Sequence, residues 1–228
     1  MKQALINCPS LANSSLLELE EDIRQFWNSG VRWFHIDIMD GHYVPNLCYP
    51  VRLVADLKAK YPQAIADVHM MVTDPAAYIE PLRAAGADYV SFHADSTHFV
   101  IRSLRAIREA GMKAGIVLNP SQQVDVIRPY LDWVDLVVLM TVEPGFAGQK
   151  FMVESLPRLE ELAKLREETG KEFLISIDGG INYPNVQPCV QRGANLFVTG
   201  VYTVYRQPDG IPAACQRFEQ EMRKGLVE

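Results

Sequence analysis

Several absences narrow the class of this chain. No apolar run approaches the roughly 18 residues that a membrane-spanning helix needs, so no membrane contact is expected. Cysteine is scarce, with four in 228 residues at positions 8, 48, 189 and 215. No CxxC pair and no dense framework is present, which fits reduced thiols in a cytoplasmic protein, each packed as a small hydrophobe. An excess of basic residues is also missing. Lys+Arg number 22 against 28 Asp+Glu, a formal net charge of −6, which argues against a large nucleic-acid surface. The first eight residues contain no long apolar stretch ending in small residues, so no secretory signal is expected. No GxGxxG follows the first strand-like run, and no organic cofactor is signalled. The 14 glycines and 14 prolines are spread evenly and no charge block stands out. No linker divides the chain, so residues 1–228 are expected to form one domain.

What is present is a globular composition, 48% hydrophobic and 22% charged, with a repeating cadence. Eight short apolar runs recur at residues 4–8, 33–38, 65–70, 89–92, 113–118, 136–139, 173–177 and 196–198. They are nearly continuous in apolar character, as parallel strands covered on both faces should be. Amphipathic stretches lie between them, including 15–27, 51–60, 75–84, 98–110 and 154–168. Gly30, Gly86, Gly111 and Gly193 fall just past helical segments, where a left-handed C-cap wants glycine. Ser14 or Ser15 is placed to cap the first helix, with Glu18 near its first turns. Eight βα units in this length predict an α/β fold, a compact (β/α)8 TIM barrel, in preference to an open doubly wound sheet.

A barrel gathers its functional groups at the C-terminal strand ends. With a period of two, His35, Asp37 and Met39 share one face of the second strand while Ile36 and Ile38 face the helices. His69 follows in the third strand and Asp178 ends the seventh. A lone strand histidine is ordinarily a hydrogen-bonded core residue. Four such groups at three strand ends instead suggest a mixed nitrogen and oxygen site for one divalent ion such as Zn, Fe, Mn or Co. Gly179–Gly180 and Gly200–Val201 follow strands seven and eight, where barrels often bind phosphate through backbone N–H groups. Gly145, Phe146, Ala147 and Gly148 form a third flexible loop able to fold over a ligand. Met39, Met71 and Met140, each at the end of a different strand, are placed to pave the floor of the site. Asp40, His42, His93 and Asp95 are candidates for a supporting or rim role, and His42 and His98 for plain solvent exposure. No lysine occupies the inward positions proposed for the site, which counts against Schiff-base chemistry.

These stretches, in order, resemble the ribulose-phosphate 3-epimerase family. The resemblance is carried by Pro9-Ser10-Leu11, His35-Ile-Asp-Ile-Met-Asp-Gly-His-Tyr-Val-Pro-Asn46, Asp67-Val-His-Met-Met-Val72, Met140-Thr-Val-Glu-Pro-Gly-Phe-Ala-Gly-Gln149 and Ile177-Asp-Gly-Gly-Ile181. It implies a (β/α)8 barrel, one divalent metal ion and a small-molecule ketose phosphate substrate. His35, Asp37, His69 and Asp178 would hold the metal, and Asp37 and Asp178 would also be the acid–base pair. Ser10 and His69 would touch the sugar, while the backbone of 145–148, 179–180 and 200–201 would hold the substrate and its phosphate. The implied reaction interconverts D-ribulose 5-phosphate and D-xylulose 5-phosphate through a metal-stabilised enediolate, in a homo-oligomer. The wording of 141–149 is also similar to that of enzymes acting on a ketohexose 6-phosphate such as D-allulose 6-phosphate, the nearest alternative. A non-catalytic phosphosugar-binding barrel is the remaining alternative.

The chain departs from the family pattern around the same pocket. Val201 stands where a small hydroxyl residue is usual, and Phe92-His93-Ala94-Asp95 ends in a shorter acid. Ala12-Asn13-Ser14-Ser15 follows the opening motif, Cys48-Tyr49-Pro50 follows Asn46, and the segment from Val201 to Tyr205 is unusually bulky.

Overall fold

Short apolar runs separated by amphipathic segments can hide both strand faces only if helices cover one side and the strands close on the other. The computed structural model of the chain, which describes residues 5–226, takes that solution. The strands are β1 (Ile6–Pro9), β2 (Trp33–Met39), β3 (Ile65–Met71), β4 (Tyr89–His93), β5 (Lys113–Leu118), β6 (Leu136–Met140), β7 (Leu174–Asp178) and β8 (Leu196–Thr199). They pair in the order β1-β8-β7-β6-β5-β4-β3-β2. Every pair is parallel. A parallel bridge between Ser10 and His35 joins the two ends of that order. The ring closes as the expected (β/α)8 barrel.

Most strands run one residue further than the apolar runs suggest. Met39, Met71, His93, Met140, Asp178 and Thr199 all lie inside strands. Except for Thr199, which turns outward to Asn7, these side chains point into the barrel mouth, and the backbone ladder continues through them. Residue 4 of the first expected run lies outside the described residues.

The helices are α1 (Leu19–Asn28), α2 (Arg52–Lys60), α3 (Ile79–Ala85), α4 (Val100–Glu109), α5 (Ser155–Thr169), α6 (Tyr183–Gln191) and α7 (Gly210–Lys224). The first helix starts later than expected, and neither serine caps it. Ser14 Oγ instead donates to the Asp22 side chain at 2.8 Å, and Ser15 accepts from Glu18 N in a separate turn. After β5 the crossover is a 3-10 segment, Val124–Trp133, with Pro129 inside it. Proline has no N–H to donate and clashes with the preceding turn, which weakens an α ladder at that point. Another 3-10 turn, Pro75–Tyr78, leads into α3. Gly30, Gly86, Gly111 and Gly193 all take the left-handed conformation, with φ between +84° and +94°, as the helix-to-strand punctuation requires.

The core follows the strand alternation. Ile36, Ile38, Val68, Met70, Phe92 and Phe197 pack outward with the helices in one large cluster. Inside the ring, Leu136, Val138, Val117 and Met140 form one small apolar cluster, and Cys8, Leu196 and Val198 form another. All four cysteines are free thiols, and Cys8, Cys189 and Cys215 are buried. Among the described residues no helix is long and apolar enough to cross a membrane.

Candidate active site

The interior of the barrel changes character on the β2–β3 side, where polar side chains replace apolar ones. Strand register sets this up, because His35 lies beside Asp67 and Asp37 beside His69, while His69 lies beside Ser91. Across the ring, Asp178 lies beside Met140 and Val198. One donor atom from each of His35, Asp37, His69 and Asp178 lies within 4.8 Å of all the others. His35 Nε2 is 3.5 Å from Asp37 Oδ1 and 3.6 Å from Asp178 Oδ2. His69 Nδ1 is 3.5 Å from Asp37 Oδ1 and 3.3 Å from Asp178 Oδ2. The sequence-derived set therefore meets at one point.

Burial and partners decide what that point can hold. Both histidines are fully buried, and Asp37 is nearly so. His35 Nε2 and His69 Nδ1, the two nitrogens aimed at the centre, have no hydrogen-bond partner. Their other nitrogens do. His35 Nδ1 meets Asp67 Oδ2 at 2.7 Å, and His69 Nε2 meets His93 Nε2 at 2.9 Å. Asp67 accepts only if His35 carries its proton on Nδ1, which leaves a lone pair on Nε2 facing the site. His93 is held well below the ordinary imidazole range by burial and by His69 beside it, so it is the neutral acceptor. That fixes the His69 proton on Nε2 and leaves a lone pair on Nδ1. Two buried imidazole lone pairs and two carboxylates, oriented from behind by a carboxylate and a second imidazole, match the supporting shell of a metal centre. The residues present fit a divalent ion.

The electrostatics favour positive charge at the same point, as a proton on each imidazole or as a cation on the two lone pairs. Burial works against a charged His35, yet the Asp37 and Asp67 carboxylates outweigh it and hold the imidazole well above its ordinary range. His69 is raised against its burial by Asp178 and Asp37. Burial would raise Asp37, but the two histidines outweigh that and press its carboxyl far below the usual range. The acids draw positive charge into the space between them, the role that a cation fills more completely. Ser10 Oγ donates to Asp37 Oδ2 at 2.8 Å, which leaves Oδ1 turned toward the histidines.

Above this floor lies a cleft open to solvent. Ser10, Asp37, His69, Asp178, Met39, Met71 and Met140 line its lower part, and Gly145–Gly148, Gly179, Gly180, Gly200 and Val201 its upper part. Every expected site residue except His35 therefore reaches the cleft, and His35 underlies it through Nε2. No lysine lines it among the described residues. At Gly179 and Gly180 a side chain has no room. A Cβ on Gly180, at φ +65°, would stand 2.3 Å from Phe151 N, and one on Gly179, at φ +118°, 2.4 Å from the Val142 side chain. A Cβ on Gly200 would reach Asn13 Oδ1 at 2.9 Å.

Of the candidate supporting groups, His93 is buried against His69. Asp40 ties the β2 loop to the β3 loop, accepting from His42 N and Tyr43 N through Oδ1 and from Thr73 N and Oγ1 through Oδ2. Asp95 accepts from Tyr43 Oη and Asn119 Nδ2. His42 and His98 are exposed. Sequence reasoning missed Asp67 as the group that orients His35, although its inward position two residues before His69 was a usable signal. Asn13 and Tyr202, from two of the departing segments expected around the pocket, do line the cleft.

Residues 6–204 match the model of the Ribulose-phosphate 3 epimerase family. A ribulose-phosphate 3-epimerase of Bacillus subtilis is 41% identical over 208 residues, covering 88% of this chain and 92% of the relative. One from Escherichia coli K12 is 35% identical over 228 residues, covering 100% of this chain and 98% of the relative. Among solved structures, 3-hexulose-6-phosphate synthase from Salmonella typhimurium superimposes with a TM-score of 0.74. It is 19% identical and covers 97% of this chain and 100% of that one, a likeness of fold.

Proposed function

The chain belongs to the ribulose-phosphate 3-epimerase family, and from that membership we propose that it interconverts D-ribulose 5-phosphate and D-xylulose 5-phosphate. The observation that carries this reading is the convergence of Asp37 and Asp178, from β2 and β7, on two unpartnered imidazole nitrogens. Inverting a carbon beside a ketone means removing its proton and returning one to the opposite face. Two carboxylates from separate strands can flank a flat enediolate and take the two roles.

His35, Asp37, His69 and Asp178 would hold the divalent ion, with Zn, Fe, Mn and Co all suited to two nitrogen and two oxygen donors. When bound, the ion supplies Lewis-acid polarisation of the ketone, which acidifies the adjacent carbon proton. The rest belongs to the chain. One of Asp37 and Asp178 takes the carbon proton and the other delivers a proton to the far face. Ser10 keeps Asp37 oriented through its hydrogen bond. Met39, Met71 and Met140 give an apolar floor that keeps water from the planar intermediate. The backbone N–H groups at Gly179, Gly180, Gly200 and Val201 bind the phosphate. Val201 contributes its N–H but no hydroxyl.

The test is turnover followed by NMR, with metal-replete protein offered ribulose 5-phosphate and allulose 6-phosphate in parallel. Accumulation of xylulose 5-phosphate at the higher rate supports the proposal. A clear preference for the six-carbon ester moves the substrate to a ketohexose phosphate. Sugar-phosphate binding with no epimer from either contradicts catalysis altogether.

A further inference from the structure

The segment after β6 has no regular structure between Thr141 and Glu154, yet it is heavily tied through its own carbonyls. Gln149 Nε2 donates to Glu143 O at 2.6 Å and to Phe146 O at 2.9 Å, which folds the segment into a compact turn. Two further carbonyls are taken by side chains from other loops. Asn46 Nδ2, in the loop after β2, donates to Gly145 O at 2.8 Å. Tyr202 Oη, in the loop after β8, donates to Gly148 O at 2.7 Å. In the ring order β2 stands opposite β6, whereas β8 is two strands away. The turn therefore crosses the barrel mouth like a strap, with Asn46 holding its far end and Tyr202 its returning limb.

The two ends are not held alike. At the far end Gly145 also lies against Val44, whose Cβ would be 3.0 Å from a Cβ placed on that glycine. On the returning limb, a Cβ on Gly148 would meet nothing within 4 Å. At Gly148 itself no packing replaces the Tyr202 hydroxyl, and the limb meets the barrel again only where 149–151 comes against Gly180. Residues 143–149 form one wall of the cleft whose other wall carries Asp37, His69 and Asp178. Sugar phosphate must pass the strap to enter and product must pass it to leave.

We propose that Tyr202 is a positioning residue, whose hydroxyl latches the 143–149 strap over the cleft by its hydrogen bond to Gly148 O. It explains why a large aromatic stands in the bulky Val201–Tyr205 segment at a position 41% exposed to solvent. The ring spans the gap and the hydroxyl makes the tie. The kinetic half of this inference rests on the epimerase reading, and the conformational half does not.

The experiment compares wild type with Tyr202→Phe and Tyr202→Ala, all metal-replete, by amide hydrogen exchange of the free protein and by steady-state kinetics with ribulose 5-phosphate. Loss of one partly exposed hydrogen bond corresponds to about three- to tenfold in an opening equilibrium. Exchange across 143–149 should accelerate by that factor in Tyr202→Phe, with the β3 peptides unchanged. KM should rise by a similar factor without a fall in kcat, because the acids are untouched. Tyr202→Ala should add little. Unchanged exchange in Tyr202→Phe overturns the latch. So does acceleration in Tyr202→Ala alone, which would assign the tie to the ring. If wild type shows no turnover, the epimerase reading fails while the exchange data still decide the latch.

Discussion

The floor and the rim of this barrel mouth are built from different parts of the polypeptide. The floor consists of side chains on strands. His35, Asp37, His69 and Asp178 come from β2, β3 and β7, and Asp67 and His93 hold the two imidazoles from behind. The rim consists of loops, with glycines at 145, 148, 179, 180 and 200 lining the cleft. Side chains on a closed sheet give fixed distances, which proton transfer and metal coordination demand. Loop backbone gives close approach and movement, which binding and release of a phosphate ester demand. A change to the floor should therefore damage chemistry and leave the fold, whereas a change to the rim should damage affinity and stability and leave the chemistry.

The largest effect expected is at the acids. Asp37→Asn or Asp178→Asn should lower kcat on the order of 10³-fold, about 4 kcal/mol in the barrier, measured by NMR turnover with metal content assayed on the same samples. A near-normal rate in either variant would mean that one carboxylate suffices. Next is Asp67→Asn, which removes the charge that orients His35 and touches no substrate. Metal affinity should weaken about 10–100-fold in a chelator competition, and saturating metal should restore most of the turnover. Failure of metal to restore it would place Asp67 in the chemistry itself and blur the distinction between floor and support.

On the rim, Gly180→Ala forces a Cβ toward Phe151 N at 2.3 Å and strains a positive φ. Roughly 5 °C of Tm should be lost together with substrate affinity, and kcat should change least. The smallest effect is at Asp40, which joins the β2 and β3 loops. Burial would raise its carboxyl, but the backbone N–H groups of Thr73, Tyr43 and His42 outweigh that and hold it far below its ordinary value. A depressed folded pKa contributes stability that is present above the unfolded value of 3.8 and lost as pH falls through the folded one. Asp40→Ala should thus lower Tm by about 2–4 °C at neutral pH. The gap to wild type should narrow below about pH 4, as scanning calorimetry across pH would show. A gap independent of pH would mean that packing, and not the carboxylate, joins the loops.

The same division governs what could be read from the sequence. The floor was legible because His35 and Asp37 interrupt an apolar run at a spacing of two, and only inward-facing positions tolerate that. The fold was legible because eight short apolar runs admit few closed arrangements. Strand ends were not, since His93, Asp178 and Thr199 look like the start of a loop when only hydrophobicity is counted. The start of α1 was misplaced because Ser14 spends its hydroxyl on the Asp22 side chain and not on a backbone N–H. The replacement of a helix after β5 by a 3-10 segment was not foreseen, although Pro129 was visible. Rim contacts were least legible of all. The bond between Tyr202 and Gly148 joins residues 54 apart in sequence, and it depends on the barrel having already closed.

The most direct test of the two-carboxylate floor follows the hydrogen itself. Metal-replete protein is given protiated ribulose 5-phosphate in D₂O, and early xylulose 5-phosphate is analysed by NMR at carbon 3. With Asp37 and Asp178 on opposite faces, the acid that delivers the proton is never the one that removed it. Nearly every first-formed product molecule should then carry deuterium at that carbon. Substantial protium transferred from substrate to product would mean that a single group serves both faces, and the division of labour between Asp37 and Asp178 would be wrong.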